Sequence, residues 1–412
     1  MIKEMKTHNL YTSAAIAWVS ACFLFFLGLI LPSLAQAGVW TPSNIPGTNN
    51  WTGLASSWDG TELLATSYDD PNFNPALIYA STNTGGKWSA TGAPANYWFG
   101  VAASTNGENL AAVVFGGGIY ASTNGGSAWV QLTTAPYGVW YAVASSWNGS
   151  NLVAVSGGLY RFIYTSPDSG QTWISNNVPD SEYWYAVASS ANGQRLVAVS
   201  NSNTNGGAGA LYTSTNAGTN WAKNKLSGID WTGVGSSADG QKLVACGSSS
   251  ALYVSADGGT NWTPISGVSG YLTGAAMSAD GSKMVAAANG GQIYLSVDSG
   301  TNWMSSGAPP LAWQIITMSR DGNVIAAAAP SDQIYTMRFN AQSPPALSFV
   351  LSGGKGLLSW PAAGSASFIL QHNVNLSTTN WQTVAGALLN NGQYQLTIPF
   401  TNSQDYFRLL GP

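Results

Sequence analysis

The chain has 412 residues with a formal net charge of −4 at pH 7, and only 7% of them are charged. So little charge excludes a protein that binds nucleic acid through its phosphates, because such proteins need clustered lysine and arginine. A helical protein needs more Glu, Lys and Leu, whereas the abundant Gly, Ser, Thr and Asn suit short strands joined by tight turns. We therefore expect an all-β protein with no nucleic-acid partner.

The first 37 residues have the pattern of a secretory signal peptide. Lys3 and Lys6 give a basic start, residues 14–31 form an apolar run, and Ala-Gln-Ala offers a cleavage site after Ala37. An uncleaved membrane anchor is the alternative, since the run is nearly long enough to span a bilayer. We expect cleavage, and hence a secreted, periplasmic or cell-surface protein with no membrane partner after the signal is removed.

Two short patterns then recur along the chain. The first is a box, Ser-x-Asx-x-Gly-x-x-Trp, in which Asx is Asp or Asn; it occupies residues 81–88, 122–129, 166–173, 214–221, 255–262 and 296–303. The second is an Asx-Gly pair between two apolar runs, which begins at Asp59, Asn106, Asn148, Asn192, Asp239, Asp280 and Asp321. Repeats at a period of 40–50 residues decide the architecture of the fold.

Each repeat has the pattern of four strands. The Asx-Gly pair predicts a two-residue hairpin turn with positive φ angles between the first two strands, and the box joins the last two. Four-stranded units of this length are propeller blades. The seventh unit has no box, but Trp40 near the N-terminus lies in the sequence context of a box Trp. We therefore predict a seven-bladed β-propeller over residues 38–340 whose last blade is completed by the N-terminal strand.

The pattern after residue 340 is different. Residues 341–346 contain two prolines and predict a linker, and residues 347–412 contain six short strand patterns that predict a small β-sandwich. On the segments LQHNVNLSTTNW and YFRL, this module is similar to the immunoglobulin- or fibronectin-like modules that end many secreted bacterial proteins. Its role in spacing, surface attachment or partner binding stays open.

The boxes resemble the Asp-box, or BNR, repeat family of β-propellers. That family includes sialidases, some glucan hydrolases, sortilin-type receptors and photosystem II assembly factors, so the resemblance implies a fold and no single function. Sialidases clamp a carboxylate with three arginines, whereas here only Arg161 maps to the corresponding face. We expect no sialidase activity, and we expect the box residues to stabilise their own turns.

The four-stranded pattern assigns the loops to two faces. The Asx-Gly turns and the boxes lie on one face, which we call the turn face, and the variable loops lie on the other, which we call the loop face. A tryptophan opens the first strand of every blade but the sixth, on the loop face. These residues are predicted either to form a stacking surface for a sugar or another flat ligand, or to pack between blades, and regular recurrence favours packing. They are Trp51, Trp98, Trp140, Trp184, Trp231 and Trp313.

Six acidic residues also map to the loop face. They are Asp69, Asp70, Asp180, Glu182, Asp230 and Asp332. Three interpretations remain open: solvated loop acids, a carboxylate pair for glycoside hydrolysis, or a site for Ca²⁺ or a cationic ligand. Their spacing selects no pair. Asp180, Glu182 and Asp230 are weak catalytic candidates because they stand next to Trp184 and Trp231.

Cysteine and histidine are scarce. Once the signal is removed, only Cys246 and His372 remain, so neither an internal disulfide nor a His-rich metal site can form, and we expect no cofactor. The sequence therefore predicts a binding or scaffold protein that uses the loop face for a glycan or protein ligand. A glycoside hydrolase that is not a typical sialidase is the alternative function.

Overall fold

A computed structural model of the chain describes residues 38–45, 49–68, 75–157, 162–176, 178, 183–201, 209–339, 347–352, 355–361, 369–373, 382–399 and 406–410. The predicted signal peptide, the linker at 341–346 and four of the loop-face acids (Asp69, Asp70, Asp180 and Glu182) lie outside these residues. All regular elements in the described residues are strands. These residues contain no helix that is long and apolar enough to cross a membrane. The contacts divide the chain into two compact parts, Ala37–Phe339 and the residues from Asn340 onward.

The larger part contains seven groups of four strands in the described residues, and we number them unit 1 to unit 7 in chain order. Strand β1 (Trp40–Pro42) precedes unit 1, which contains β2 (Asn50–Ser56), β3 (Leu63–Tyr68), β4 (Ile78–Ser81) and β5 (Ser89–Ala90). Unit 2 contains β6 (Trp98–Ala103), β7 (Leu110–Gly117), β8 (Ile119–Ser122) and β9 (Val130–Gln131). Unit 3 contains β10 (Gly138–Ser145), β11 (Leu152–Ser156), β12 (Ile163–Ser166) and β13 (Ile174–Asn176).

Unit 4 contains β14 (Tyr183–Ser189), β15 (Leu196–Asn201), β16 (Ala210–Ser214) and β17 (Ala222–Ser227). Unit 5 contains β18 (Trp231–Ser236), β19 (Leu243–Gly247), β20 (Ala251–Ser255) and β21 (Thr263–Pro264). Unit 6 contains β22 (Tyr271–Met277), β23 (Met284–Asn289), β24 (Ile293–Ser296) and β25 (Met304–Ser305). Unit 7 contains β26 (Ile315–Met318), β27 (Val324–Ala328) and β28 (Ile334–Arg338), and its fourth strand is β1.

The N-terminal strand closes the larger part, as predicted. Strand β1 runs antiparallel to β28, with Trp40 opposite Met337. The Trp40 indole N–H donates to the Ser306 carbonyl at 3.2 Å, and its ring lies 6.0 Å from that of Trp313. The first strands of the units pack in a closed circle, β2–β6–β10–β14–β18–β22–β26 and back to β2, which encloses a central channel.

A ring of backbone hydrogen bonds closes the channel wall on the turn face. In this turn-face ring, the residue that precedes each Asx links one unit to the next with N···O distances of 2.6–2.9 Å. The bonds run from Trp58 to Thr105, Thr105 to Trp147, Trp147 to Ala191, Ala191 to Ala238, Ala238 to Ala279 and Ala279 to Arg320, and Asp321 donates to Trp58. Inter-unit backbone bonds satisfy groups that the turns leave unpaired, so this face of the channel is fixed by the backbone.

The Asx-Gly turns differ from the predicted two-residue hairpins. In the first, Ser57 N bonds to the Glu62 carbonyl, so four residues separate the paired strand ends. Only the glycine, Gly60, has positive φ (71°), while the Asp59 carboxylate accepts the Thr61 N–H at 3.0 Å. The Asx is therefore needed as a side-chain acceptor, and only its glycine neighbour adopts the left-handed conformation.

The boxes fix the backbone of their own turns. In the first box, the Ser81 hydroxyl accepts the Gly85 N–H and donates to Asn83, whose Oδ1 accepts the Lys87 N–H at 2.7 Å. The same three bonds recur in the other five boxes. Since the Ser hydroxyl and the Asx side chain of each box bond within their own turn, the box is a structural element, as expected from its recurrence.

The smaller part contains two sheets in its described residues. One has β29 (Ser348–Ser352), β30 (Lys355–Pro361), β34 (Gln393–Pro399) and β33 (Leu388–Asn390) in that order, and the other has β32 (Gln382–Thr383), β31 (Ile369–Asn373) and β35 (Tyr406–Leu410). Their shared core is Leu358, Trp360 and Leu370, with further half-buried apolar residues around it. Strand β33 is one more than the six predicted from sequence.

Candidate functional site

The six tryptophans of the loop face are buried, with at most 1% of each side chain exposed. Each packs edge-on against a tyrosine of the third strand of its own unit, with ring centroids 5.1–5.9 Å apart, as edge-to-face aromatic pairs do. The predicted stacking surface is therefore wrong for these rings, because no indole face is open to a ligand, and their packing role accounts for the repeat. The six are Trp51, Trp98, Trp140, Trp184, Trp231 and Trp313.

The indole N–H groups are bonded at four of these positions. Trp51, Trp98, Trp140 and Trp313 donate to backbone carbonyls at 2.9–3.2 Å. Within the described part of the chain the buried N–H groups of Trp184 and Trp231 have no acceptor. A buried donor without a partner costs stability, so these two rings are held by packing against their neighbours.

In the first strand of units 1 to 6, a β-bulge follows the loop-face tryptophan, or Leu272 in unit 6. In unit 2, Trp98 pairs with Val114 and Gly100 with Val113, so Phe99 is the extra residue. The same shift occurs in the other five units. A bulge changes the direction in which one side chain points relative to the alternation of the strand. Here the bulge lies at the equivalent residue of the first strand in each of these units. The bulged residues are Thr52, Phe99, Tyr141, Tyr185, Thr232 and Thr273.

Three consecutive bulged positions, in units 2 to 4, carry aromatic rings. Phe99 lies 5.2 Å from Tyr141, and Tyr141 lies 5.6 Å from Tyr185, between ring centroids. Phe115, at the end of the second strand of unit 2, lies 5.5 Å from Phe99 and 5.9 Å from Tyr141. We call these four residues the mouth cluster, because three of them lie on first strands at the loop-face end of the channel and Phe115 packs against two of those three.

The mouth cluster reaches solvent. Phe115 is 43% exposed and Tyr185 is 37% exposed, while Phe99 and Tyr141 are half-buried. Tyr97 next to the cluster is also 37% exposed. Four contacting aromatic rings that remain accessible form an apolar surface at one place on the channel, which is the kind of patch that marks a binding site.

The backbone under the cluster is held by strand pairing between two units. Strand β7 continues to Gly117 and pairs with β10 of the next unit, so units 2 and 3 form one eight-stranded sheet. Phe115 N also donates to the Tyr97 carbonyl at 2.9 Å. A side chain added at Gly157 would stand 2.7 Å from the Tyr141 ring, so this glycine leaves the room that the ring occupies. The cluster is therefore preorganised by neighbouring strands.

The tyrosines of the cluster stay neutral over a wide pH range. Burial raises the pKa of Tyr141, and the nearby Tyr183 adds to this. Burial also raises the pKa of Tyr185, with smaller contributions from Tyr271 and Tyr141. Tyr185 is over a third exposed, yet protein surrounds it because it lies in a channel rather than on a convex surface. The site thus offers apolar faces and neutral hydroxyls.

Threonines occupy the bulged position in three of the remaining units. The hydroxyls of Thr52, Thr232 and Thr273 donate to a backbone carbonyl of the next unit at 2.7–2.9 Å. Each such bond ties two first strands together at the loop face. The channel mouth therefore has an aromatic side in units 2 to 4 and a hydrogen-bonded threonine side in units 5, 6 and 1.

The predicted acids are not assembled into a site by the described residues. Asp230 lies in unit 5 and Asp332 in unit 7, so another unit separates them. The backbone carbonyl of Asp230 accepts the Ser248 N–H, and the carboxylate of Asp332 accepts the Gln333 N–H. Over the described ranges no group of three His, Cys, Asp or Glu residues is placed to hold a metal ion. The other four acids lie outside those ranges.

The mouth cluster was not predicted from the sequence, although its signal was present. The residue after each opening Trp is Phe or Tyr in three successive repeats and Thr in two others. Strict strand alternation sends that residue away from the side that the Trp occupies, but a bulge cannot be located from alternation alone. The position was therefore treated as part of the packing pattern.

Comparisons with known proteins agree with the fold. No protein-family model matches the chain, and no curated protein matches it either. Among solved structures, the chain is similar to YCF48 from Cyanidioschyzon merolae, with a TM-score of 0.56 and 13% identity over 73% of this chain and 98% of the other. It is also similar to YCF48 bound to D1 peptide, with a TM-score of 0.56 and 16% identity over 75% of this chain and 99% of the other.

A third similar structure is the hydrazine synthase of Kuenenia stuttgartiensis, with a TM-score of 0.58 and 13% identity over 72% of this chain and 97% of the other. Identities this low carry information about the fold alone. Together with the closed circle of first strands, these likenesses support a β-propeller fold for this chain.

Proposed function

We propose that this chain is a secreted or cell-surface binding protein whose mouth cluster takes up a hydrophobic side chain from an extended segment of a protein ligand. In this proposal residues 38–340 are a seven-bladed propeller of the Asp-box type, and residues 347–412 are an immunoglobulin- or fibronectin-like module. The observation that supports a binding role is the mouth cluster. Its four aromatic rings contact one another, remain accessible to solvent and lie on paired strands.

The chemistry of the cluster favours a protein ligand over a glycan. A sugar needs several polar partners for its hydroxyls beside a stacking ring. Phe99 and Phe115 have no polar tip, so the two tyrosine hydroxyls are the polar side-chain groups that the four rings offer. Tyr141 stands edge-on to both phenylalanines, with interplanar angles of 76° and 80°, so the rings form a cleft rather than a flat platform. Aromatic side chains are also the residues that dominate binding energy at protein interfaces.

A neighbour of the same fold adds support. One of the similar solved structures is a complex of YCF48 with D1 peptide, so a propeller of this architecture can take a peptide. Loops and strand ends positioned by a rigid scaffold are where binding residues concentrate. We transfer only this type of ligand, a peptide segment, to the present chain.

The experiment screens the chain against a phage-displayed peptide library and, in parallel, against a glycan array. We expect selected peptides to share an aromatic or large aliphatic residue. Phe115→Ala should weaken their binding roughly 10- to 100-fold, because a truncated interface anchor typically costs 1–3 kcal/mol. Its melting temperature should stay close to that of the parent, since the ring is partly exposed.

Phe162→Ala is the matched control. Phe162 is 41% exposed and contacts Tyr164 on the third strand of unit 3, away from the first strands that line the channel. This control should bind the selected peptides as the parent does. Equal losses in both variants, or binding to glycans with none to peptides, would overturn the proposed protein ligand.

A further inference from the structure

The opposite end of the channel has an uneven lining. The turn-face ring places one side chain of each unit at this end, and four of them are small: Thr105, Ala191, Ala238 and Ala279. The other three are Trp58, Trp147 and Arg320. All seven are half-buried or exposed, so this end of the channel is open to solvent.

The two indoles form one wall of this opening. Trp58 of unit 1 and Trp147 of unit 3 contact each other edge-on across the small Thr105 of unit 2, with ring centroids 5.1 Å apart. Trp58 is 41% exposed, so part of its ring remains available. The three alanines of units 4 to 6 leave the opposite side of the opening without large side chains.

Arg320 of unit 7 adjoins Trp58 through the backbone bond from Asp321 to the Trp58 carbonyl. Its guanidinium forms no hydrogen bond, ion pair or aromatic contact with any residue that the structure describes. Burial lowers its pKa, and no carboxylate contributes to that shift. The side chain is half-buried at an end of the channel that is open to solvent, so the guanidinium keeps water but has no anion beside it among the described residues. A guanidinium placed in this way is available to pair with an anionic ligand.

We propose that the turn-face end of the channel binds a small organic carboxylate, with Arg320 pairing its charge and Trp58 covering its apolar body. A single guanidinium supplies one positive charge and a bidentate fork, which match one carboxylate and leave a doubly charged phosphate only half neutralised. This site goes beyond the proposed function, since it lies at the other end of the channel from the mouth cluster.

Benzoate is the probe, and benzamide, which has the same shape without the charge, is its control. Titration calorimetry and thermal melting are carried out on the full protein at constant ionic strength. We expect saturable benzoate binding and a rise in melting temperature of about 2 °C or more near saturation, because a ligand that binds only the folded state stabilises it. Benzamide should give neither effect.

Three variants assign the binding to Arg320. Arg320→Gln should weaken benzoate binding roughly 10- to 100-fold, as expected for lost hydrogen bonds to a charged group. Without ligand it should melt no lower than the parent, because the substitution removes no hydrogen bond or ion pair of the Arg320 side chain within the described residues. Arg320→Lys should be intermediate, since an ammonium lacks the bidentate fork. Arg338→Gln removes an exposed guanidinium that contacts Thr84 and should change nothing.

The opposite results would overturn the proposal. These are an equal melting shift with benzoate and benzamide, benzoate binding that survives Arg320→Gln, or an Arg320→Gln protein that melts well below the parent without ligand. The last result would assign Arg320 a structural role. None of these outcomes bears on peptide binding at the mouth cluster, so the two proposals fail separately.

Discussion

The two ends of the channel differ in how the repeat is used. At the turn face, six units donate the same backbone bond from the residue before the Asx, and in unit 7 Asp321 donates it instead. The side chains of the Asx turns and boxes there serve those turns. At the loop face the bulged position also recurs in six units, but its side chain is Thr in three of them and aromatic in the other three. A repeated backbone thus creates equivalent positions, and the two ends of the channel differ through the side chains at those positions.

The two sides of the loop-face end differ in the side-chain hydrogen bonds that link neighbouring units. Each Thr hydroxyl at a bulge bonds to the next unit, whereas Phe99, Tyr141 and Tyr185 make no such bond among the hydrogen bonds of the described residues. Units 2 and 3 instead share the short pairing between β7 and β10. We infer that this added pairing offsets the missing side-chain tethers under the mouth cluster.

The largest effect is expected at the closure of the ring. Deletion of residues 38–45 removes β1 and the Trp40 contacts, and it leaves the outer edge of β28 unpaired. An exposed strand edge promotes aggregation, and the loss of a buried indole adds several kcal/mol of destabilisation. We expect aggregation or a much earlier melt by scanning calorimetry. An unchanged melting curve would show that both ends of the channel persist without this closure.

The second prediction separates packing rings from binding rings at the loop face. Trp98→Ala should lower the free energy of unfolding by about 3–5 kcal/mol, because it empties a fully buried indole site. Phe115→Ala, a ring 43% exposed, should cost well under half as much. Urea denaturation measures both. If Trp98→Ala kept its stability and lost ligand binding, the tryptophans would be the binding residues after all.

The sequence predicted the framework well because the framework is periodic. The four strands per unit, the closing β1 and the structural boxes all follow from spacing and turn chemistry. The mouth cluster and Arg320 did not follow, for two physical reasons. A β-bulge changes which side of a strand a residue faces, and the isolation of Arg320 depends on which side chains other units place around the channel.

The third prediction tests the assignment of the turn face to structure. The Asp257 carboxylate accepts bonds from Ser255 and from the Asn261 backbone and side chain. Asp257→Ala should cost about 1–2 kcal/mol of stability, measured by denaturation. Asp257→Asn should cost less, because Asn already fills this box position at Asn83, Asn124 and Asn216. Ligand binding at the loop face should be unchanged in both.

The same pair of variants carries a pH signature. The Asn261 backbone N–H and side-chain amide lower the pKa of Asp257 in the folded state. The stabilisation is therefore present above the unfolded pKa of about 3.9 and is lost as the pH falls through the lower folded value. Asp257 is exposed, so the effect is small. Between pH 5 and pH 2, the free energy of unfolding of Asp257→Asn should fall slightly less than that of the parent. The same dependence of the unfolding free energy on pH in both proteins would contradict this prediction.

The smallest effect is expected in the core of unit 5, behind the first strand that lines the channel. We call this part of the molecule the channel wall. Cys246 in β19 is fully buried, its sulfur lies 3.6 Å from the Thr232 hydroxyl, and burial raises its pKa to about 12. A thiol in this state does not react while the wall is closed. In a chain that begins at Gly38, Cys246 is the one cysteine, so iodoacetamide labelling reports on that wall.

We expect no labelling of the native protein at pH 8 and labelling in urea that follows global unfolding, because residues in a cooperative core open only with the whole fold. Cys246→Val is the blank and should change the stability by less than about 1.5 kcal/mol, as a near-isosteric core substitution does. Labelling without urea would mean that the channel wall of unit 5 opens locally while the rest of the fold stays intact. The turn face and the loop face would then differ in their motion as well as in their side chains.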